Sequence, residues 1–308
     1  MKSKFALNNR ENQLAYLRVK FGDDVKATPC NNGVVNGMWS LEKSGGIIVR
    51  FYPTFFQNKL AVETWILPEL KKIEAKTPEL LELDTEGFIT PVLFLSRLPG
   101  VAISETKQKL TFNESQSLFF NLKALLKKVA AINIEAVGYL HDPFKVSNIS
   151  QYVESSMDNY LAIIRRENLL SSREINILQN DSFALQALLI NRPPQLTYPD
   201  LSLGNILVHD AHFSGLIDWE FLMGFEPLFA FSNLLLNLFF EEEKHLNVEC
   251  FFQNFPKAQW PEIILLSKFR LAELLSYLPT TKLYEDSIKQ KQLCRYRRAF
   301  NSLLNISC

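Results

Sequence analysis

Asp200, Asn205 and Asp218 are the residues whose types and spacing could do chemistry together. They lie in the stretch Tyr198–Pro227, YPDLSLGNILVHDAHFSGLIDWEFLMGFEP. An Asp, an Asn five residues later and a second Asp at the end of the next strand can divide the work of phosphoryl transfer. The first Asp receives or orients the proton of an acceptor hydroxyl. The Asn and the second Asp offer oxygen ligands to Mg²⁺, a hard cation that takes one or two carboxylates and fills its shell with substrate phosphates and water. D-x-x-x-x-N alone occurs often by chance, and Asp210 or Asp218-Trp219 could be plain turn residues. The reading rests on the joint occurrence of Asp200, Gly204-Asn205-Ile206-Leu207, Ile217-Asp218-Trp219-Glu220 and Glu226-Pro227.

These side chains need a hairpin to hold them. Residues 205–218 contain two β-rich runs, NILVH and FSGLID, around Asp210-Ala211-His212. If His209 pairs with Phe213 across a three-residue turn, Asn205 faces Ile217 and Asp218 lies one step beyond. Opposed side chains are then about 5 Å apart at Cβ. His209 and His212 flank a turn read as Asp210-Ala211 and are expected to face solvent rather than ligate a metal. The rest of the C-terminal half has helical spacing, over about 113–133, 148–167, 172–190, 227–243, 261–277 and 285–304. The N-terminal half differs. A helix over 11–21, with Leu14, Leu17 and Phe21 on one face, stops at Gly22. A hairpin over 34–52 turns at Lys43-Ser44-Gly45-Gly46. A helix over 58–75 meets a kink or break at Pro68, and 88–95 reads as a strand with Pro91 at an edge or bulge. Ser96-Arg97-Leu98-Pro99-Gly100 is the candidate linker. The expected fold is therefore α+β and two-lobed, with a β-rich N-terminal lobe over 1–96 and a mostly helical C-terminal lobe over 97–308.

The stretch from Tyr198 to Pro227 resembles the aminoglycoside phosphotransferase and choline kinase-like family, a branch of the protein kinase-like fold. That family carries H-G-D-x-x-x-x-N-I-L, then I-D-W-E, then D-P-x-x-D. The resemblance puts Asp200 on the catalytic Asp, Asn205 on the metal-binding Asn and Asp218 on the metal-binding Asp. It implies transfer of phosphate from ATP, or another nucleoside triphosphate, with Mg²⁺, to a hydroxyl of a small molecule. Tyr198, Pro199 and Ala230 stand where the family has His, Gly and the second Asp of D-P-x-x-D, and Glu226 replaces the first. A nucleotide-binding pseudokinase, acting as a regulatory or interaction module, is the alternative.

The N-terminal half has no G-x-x-x-x-G-K-[ST], so a P-loop is excluded. Asn31-Asn32-Gly33 and Gly37 give no G-x-G-x-x-G either. In the family's frame, Arg50 takes the strand position of the phosphate-contacting Lys, with Glu63 as its ion-pair partner. Both residue types are also ordinary at a strand end and on an exposed helix. Phe94, Leu95, Ser96 and Arg97 would meet the nucleotide base through their backbone.

Composition narrows the partners. The chain has 308 residues, 47% hydrophobic and 21% charged, with 33 Lys+Arg against 33 Asp+Glu. No net field favours nucleic acid or an anionic membrane. Cys30, Cys250, Cys294 and Cys308 have neither zinc-site nor disulfide-framework spacing. The N-terminus lacks a signal-peptide core, and Pro227–Phe240 is too short to span a bilayer, so a cytoplasmic protein is expected. Acceptor identity is open. Glu241-Glu242-Glu243 could attract a cation but reads better as a solvated face. Trp260, Tyr277 and Tyr284 could form an aromatic cage but read better as packing. The sequence leaves the oligomeric state open.

Overall fold

The structure is a computed structural model that describes residues 10–30, 37–42, 46–142, 146, 148–240, 246–281 and 285–306. Asn31-Asn32-Gly33, Lys43-Ser44-Gly45, Glu241-Glu242-Glu243, Tyr284 and Cys308 lie outside the described residues. The chain divides into two compact units, one of residues 1–99 with 215–220 and the other of 100–214 with 221–308.

In the first unit, α1 (Arg10–Phe21) ends at Gly22, whose φ of +100° suits a residue without Cβ. Five antiparallel strands follow around one more helix. They are β1 (Ala27–Pro29), β2 (Gly37–Leu41), β3 (Ile47–Phe51), then, after α2 (Gln57–Lys72), β4 (Leu80–Asp84) and β5 (Val92–Ser96). Their order in the sheet is β1-β2-β3-β5-β4. Successive side chains of a strand point to opposite faces. Val49 and Phe51 join Leu17, Trp39, Leu41, Val92 and Phe94 in one core. Arg50 between them must take the other face, where α2 supplies Glu63.

Two expectations need correcting in this unit. Of the kink or break expected at Pro68, the break is absent, since α2 continues through it to Lys72. The strand expected from residue 88 begins only at Val92, so Pro91 precedes the strand instead of sitting in it. β5 is hydrogen-bonded on both sides, by β3 and β4, and tolerates no missing N–H within it.

Residues 215–220 are tied to this unit by backbone contact. Leu216 N–H donates to the Lys76 carbonyl at 3.0 Å. A Cβ on Gly215 would lie 2.5 Å from that same oxygen, so only glycine allows the approach. Trp219 is fully buried, and its Nε1 donates to the Leu216 carbonyl at 3.1 Å.

The second unit begins with β6 (Val101–Ala102), α3 (Phe112–Ala130), β7 (Gly138–Tyr139), α4 (Ile149–Arg166) and α5 (Ser172–Leu189). It continues with β8 (Gln195–Thr197), β9 (Ile206–His209), β10 (His212–Leu216) and β11 (Met223–Phe225). The helices α6 (Phe229–Phe240), α7 (Val248–Gln253), α8 (Trp260–Thr280) and α9 (Asp286–Leu304) complete it. Capping boxes start α3 at Thr111 and Glu114 and α5 at Ser171 and Glu174. Phe269 of α8 packs against Tyr152, Tyr160, Phe225 and Phe229 at the centre of the helical core. α6 is buried along most of its length. Among the described residues no helix is long and apolar enough to cross a membrane.

The strands form two small sheets, β10-β9-β6 and β7-β11-β8. The hairpin of β9 and β10 turns on two residues, not three: Asp210 and Ala211 have φ of +48° and +62°. Two consecutive left-handed residues make the turn whose twist matches a hairpin. His209 therefore stands opposite His212, and the count along β10 moves by one residue from the expected pairing with Phe213. Both histidines are exposed, as their place at the turn implied. A sheet-rich N-terminal region followed by a helical C-terminal part is the α+β class read from the sequence.

Candidate active site

Arg50 is the hub of the first unit's polar cluster. Its Nη1 donates to Glu63 Oε1 at 2.7 Å and Oε2 at 2.9 Å. Its Nη2 donates to Glu220 Oε2 at 2.9 Å and Asp218 Oδ1 at 3.1 Å. Nε is buried and has no acceptor among the described residues. The guanidinium also lies 5.0 Å from the centre of the Tyr52 ring. The Tyr52 hydroxyl donates to Glu63 and lies 3.0 Å from Glu220 Oε2. Lys59 Nζ stands 3.9 Å from Glu220 Oε1.

Burial sets the charge state of this cluster. Glu63 is pushed up to about 7, first by burial and then by Asp218 and Glu220, against the pull of Arg50. Glu220 is also raised, by burial and by Asp218. Burial disfavours the Arg50 charge, but Glu63, Tyr52, Asp218 and Glu220 outweigh it and keep the guanidinium protonated. One hydroxyl proton on Tyr52 cannot serve two carboxylates, so a protonated Glu63 relieves the contact. Asp218 itself has φ of +66°. A non-glycine residue there is strained and persists only when its surroundings hold it. Here Trp219, Glu220 and Arg50 do so.

The second unit holds Asp200 on the loop between β8 and β9. Asn205 Nδ2 donates to the Asp200 carbonyl at 2.9 Å and to Asp200 Oδ2 at 3.0 Å. Ser202 N–H donates to the Asp200 carbonyl at 2.8 Å, and Asn205 N–H to the Ser202 carbonyl at 3.0 Å. Tyr198, Leu201 and Leu203 are buried and anchor the loop from below. Ala230, which carries no carboxylate, is 1% exposed in α6. Glu226 is engaged elsewhere: it accepts from Arg192 at 2.8 Å, and Arg192 also binds Glu262.

The structure thus brings Arg50, Glu63 and Asp218 together in one unit, and Asp200 and Asn205 together in the other. Sequence reasoning missed Glu220, Tyr52 and Lys59. Glu220 was visible as the last letter of I-D-W-E, and Lys59 lies four residues before Glu63, one turn away on the same helix. Phe94 and Leu95 are buried in mid-sheet. The Ser96 and Arg97 N–H groups donate to the carbonyls of Glu79 and Gly46 at 2.9 and 3.2 Å. Trp260 and Tyr277 are 17 positions apart on α8, roughly 26 Å along its axis, so they cannot share an aromatic cage. Trp260 instead packs on Phe252 and donates to the carbonyls of Phe252 and Phe255.

As metal ligands, Asp218 and Asn205 offer a carboxylate and an amide oxygen, both hard donors. The Asn205 nitrogen faces Asp200, so its oxygen is the atom left to ligate. Among the described residues no three of His, Cys, Asp and Glu converge as a ready-made cage. Asp218 and Asn205 are each a donor of the kind Mg²⁺ takes when it is carried by a polyphosphate.

The profile of the phosphotransferase enzyme family matches residues 26–261. No curated protein matches the chain. Among solved structures, the aminoglycoside phosphotransferase APH(4)-Ia aligns with a TM-score of 0.70 at 14% identity, over 97% of this chain and 100% of that one. The GDP complex of aminoglycoside 2'-phosphotransferase-IIIa aligns at 0.69 and 15% identity, over 96% and 100% of the two chains. A ternary complex of an APH(4)-Ia mutant with AMP-PNP and hygromycin B aligns at 0.69 and 14%, over 94% and 97%. These likenesses show a shared kinase-like fold, and with the family match over most of its length, the chain belongs to the phosphotransferase enzyme family.

Proposed function

We propose that the protein transfers the γ-phosphoryl group of ATP, or another nucleoside triphosphate, to a hydroxyl of a small molecule. The observation that carries this is the Asp200–Asn205 pair, in which the Asn205 amide fixes both the backbone and the carboxylate of Asp200. Asp200 accepts the proton of the acceptor hydroxyl as its oxygen attacks the γ-phosphorus. The bond to the β-phosphate oxygen breaks, and the nucleoside diphosphate leaves. Asn205 and Asp218 hold Mg²⁺, which when bound neutralises phosphate charge. Arg50, braced by Glu63, supplies a buried positive charge behind Asp218. The base lies against Phe94–Arg97. The structural neighbours crystallised with AMP-PNP, GDP, hygromycin B and kanamycin support a nucleotide donor and a polyhydroxylated, amine-bearing acceptor.

Release of nucleoside diphosphate, followed with a panel of aminoglycosides, amino alcohols and neutral sugars, tests the reading. Acceptor-dependent release that vanishes in Asp200→Asn supports it. Nucleotide binding with no release for any acceptor points to the pseudokinase instead.

A further inference from the structure

Tyr52 sits inside the Arg50 cluster, yet phosphoryl transfer makes no direct use of its hydroxyl. It follows β3 by one residue and Arg50 by two, and residues two apart in extended chain share a face. Its N–H donates to the Pro91 carbonyl at 2.9 Å, which keeps the backbone in line with the sheet. The side chain is fully buried, with its ring facing the Arg50 guanidinium. Its oxygen stands between Glu63 Oε2 and Glu220 Oε2, within hydrogen-bonding reach of both. A phenylalanine would fill the same space without that oxygen. What tyrosine adds is a tie between two carboxylates.

That tie reaches Asp218 through Arg50. A planar guanidinium points its N–H groups in fixed directions. Nη1 is set by the two Glu63 oxygens, at 2.7 and 2.9 Å, and one hydrogen of Nη2 by Glu220 Oε2 at 2.9 Å. With both carboxylates in place, the second hydrogen of Nη2 has one direction left, and Asp218 Oδ1 takes it at 3.1 Å. Asp218 Oδ2 accepts from no donor among the described residues, so it is the oxygen left for Mg²⁺. The positive φ of Asp218 makes it depend on such contacts for its place. If Glu220 shifts, Nη2 turns with it and the Asp218 carboxylate loses its orientation.

We propose that Tyr52 is a positioning residue for the metal-binding carboxylate. Its hydroxyl ties Glu63 to Glu220, the two carboxylates fix the Arg50 guanidinium, and Arg50 holds Asp218 by Oδ1, leaving Oδ2 for the Mg²⁺ that the nucleotide carries. This rests on the phosphotransferase reading above.

Calorimetric titration tests this on wild type and Tyr52→Phe. The ligands are Mg²⁺-ATP, ATP in EDTA and adenosine, or the guanine equivalents if guanine is preferred. Tyr52→Phe should bind Mg²⁺-ATP about three- to ten-fold more weakly, the scale of one hydrogen bond. Metal-free ATP and adenosine should stay within about two-fold of wild type, because neither brings a metal to Asp218. Asp218→Asn and the double variant complete a cycle. With the carboxylate already replaced, Tyr52→Phe should cost Mg²⁺-ATP binding nothing more. Should Tyr52→Phe fail to fold, Glu220→Ala breaks the same tie and should show the same selective loss. Equal weakening of all three ligands would mean that Tyr52 only supports the fold, and would overturn the assignment. Losses that add in the double variant, or unchanged Mg²⁺-ATP affinity in Tyr52→Phe, would overturn it too, with the phosphotransferase reading left intact. A wild-type protein that binds no nucleotide would overturn both.

Discussion

Arg50 and Arg270 are both buried guanidiniums whose Nε finds no acceptor among the described residues, and each is held by a Glu and a Tyr. Their wiring differs. Arg270 Nη1 donates to the Tyr139 hydroxyl at 2.7 Å and to Glu273 Oε2 at 2.6 Å, and the Tyr139 hydroxyl donates on to Glu273 Oε1 at 2.7 Å. One cation is hydrogen-bonded to one carboxylate three residues along the same helix, and the charge of Asp200 also acts on it. Arg50 meets three carboxylates from two distant parts of the chain, two of them 168 and 170 residues away. Lys59 stands 3.9 Å from Glu220 as a second cation, and Glu63, pushed up to about 7 by burial, is the carboxylate that takes up a proton.

The largest test of this contrast is removal of each cation. Arg50→Met strands Glu63, Glu220 and Asp218 and should cost about 3–5 kcal/mol, the scale for breaking a buried ion pair by deleting one partner. Arg270→Met leaves Glu273 still accepting from Tyr139 and should cost about 1–3 kcal/mol. Denaturant midpoints of the two variants measure the difference. Equal losses would show that the extra carboxylates around Arg50 carry no charge burden.

A smaller effect comes from pH. Glu63 titrates at about 7 in the folded protein against 4.5 for the free residue. Between those values the native state binds the extra proton, so its contribution to stability is full below about pH 4.5 and falls as pH rises through 7. Asp84, which accepts from Tyr16, Lys20 and the N–H groups of Glu86 and Gly87, is held well below the ordinary carboxylate range, chiefly by the Tyr16 hydroxyl. Its contribution has the opposite sign: present above the free value and lost on acidification. Thermal unfolding of wild type and Glu63→Gln from pH 5 to 8 should show a downward slope only in wild type. An identical slope in both would remove Glu63 as its source.

How much of this was legible in the sequence follows from distance along the chain. The stretch from Asp200 to Asp218 is nearly contiguous, so its residue types and spacing carried the chemistry without any fold. The burial of Glu63 was also written locally. Leu60, Leu67 and Leu70 share its face of α2, which marks that position as inward and not as an exposed Glu. The roles of Glu220 and Tyr52 were not legible, because they depend on a packing of 215–220 against β3 and α2 that only the tertiary fold creates. The hairpin register erred for a different reason. Asp210 and Ala211 both take positive φ, and nothing in Ala211 announces it, since alanine is rarely found there. The short strands β1, β6, β7, β8 and β11 went unseen because two or three residues carry no period.

The division of labour between Asp218 and Asp200 is the central claim, and the melting shift induced by Mg²⁺-ATP tests it most directly. At about 100 times its Kd a ligand stabilises the folded state by roughly 2.7 kcal/mol. For a chain of this size that is several degrees, at about 2–4 °C per kcal/mol. Wild type should show the shift. Asp218→Asn should lose most of it, because a neutral amide is a poor substitute for the charge of a carboxylate on Mg²⁺. Asp200→Asn should keep it and yet lose turnover by about 10²-fold or more, the usual scale for a general base. An Asp200→Asn protein that loses the shift as fully as Asp218→Asn would contradict the account.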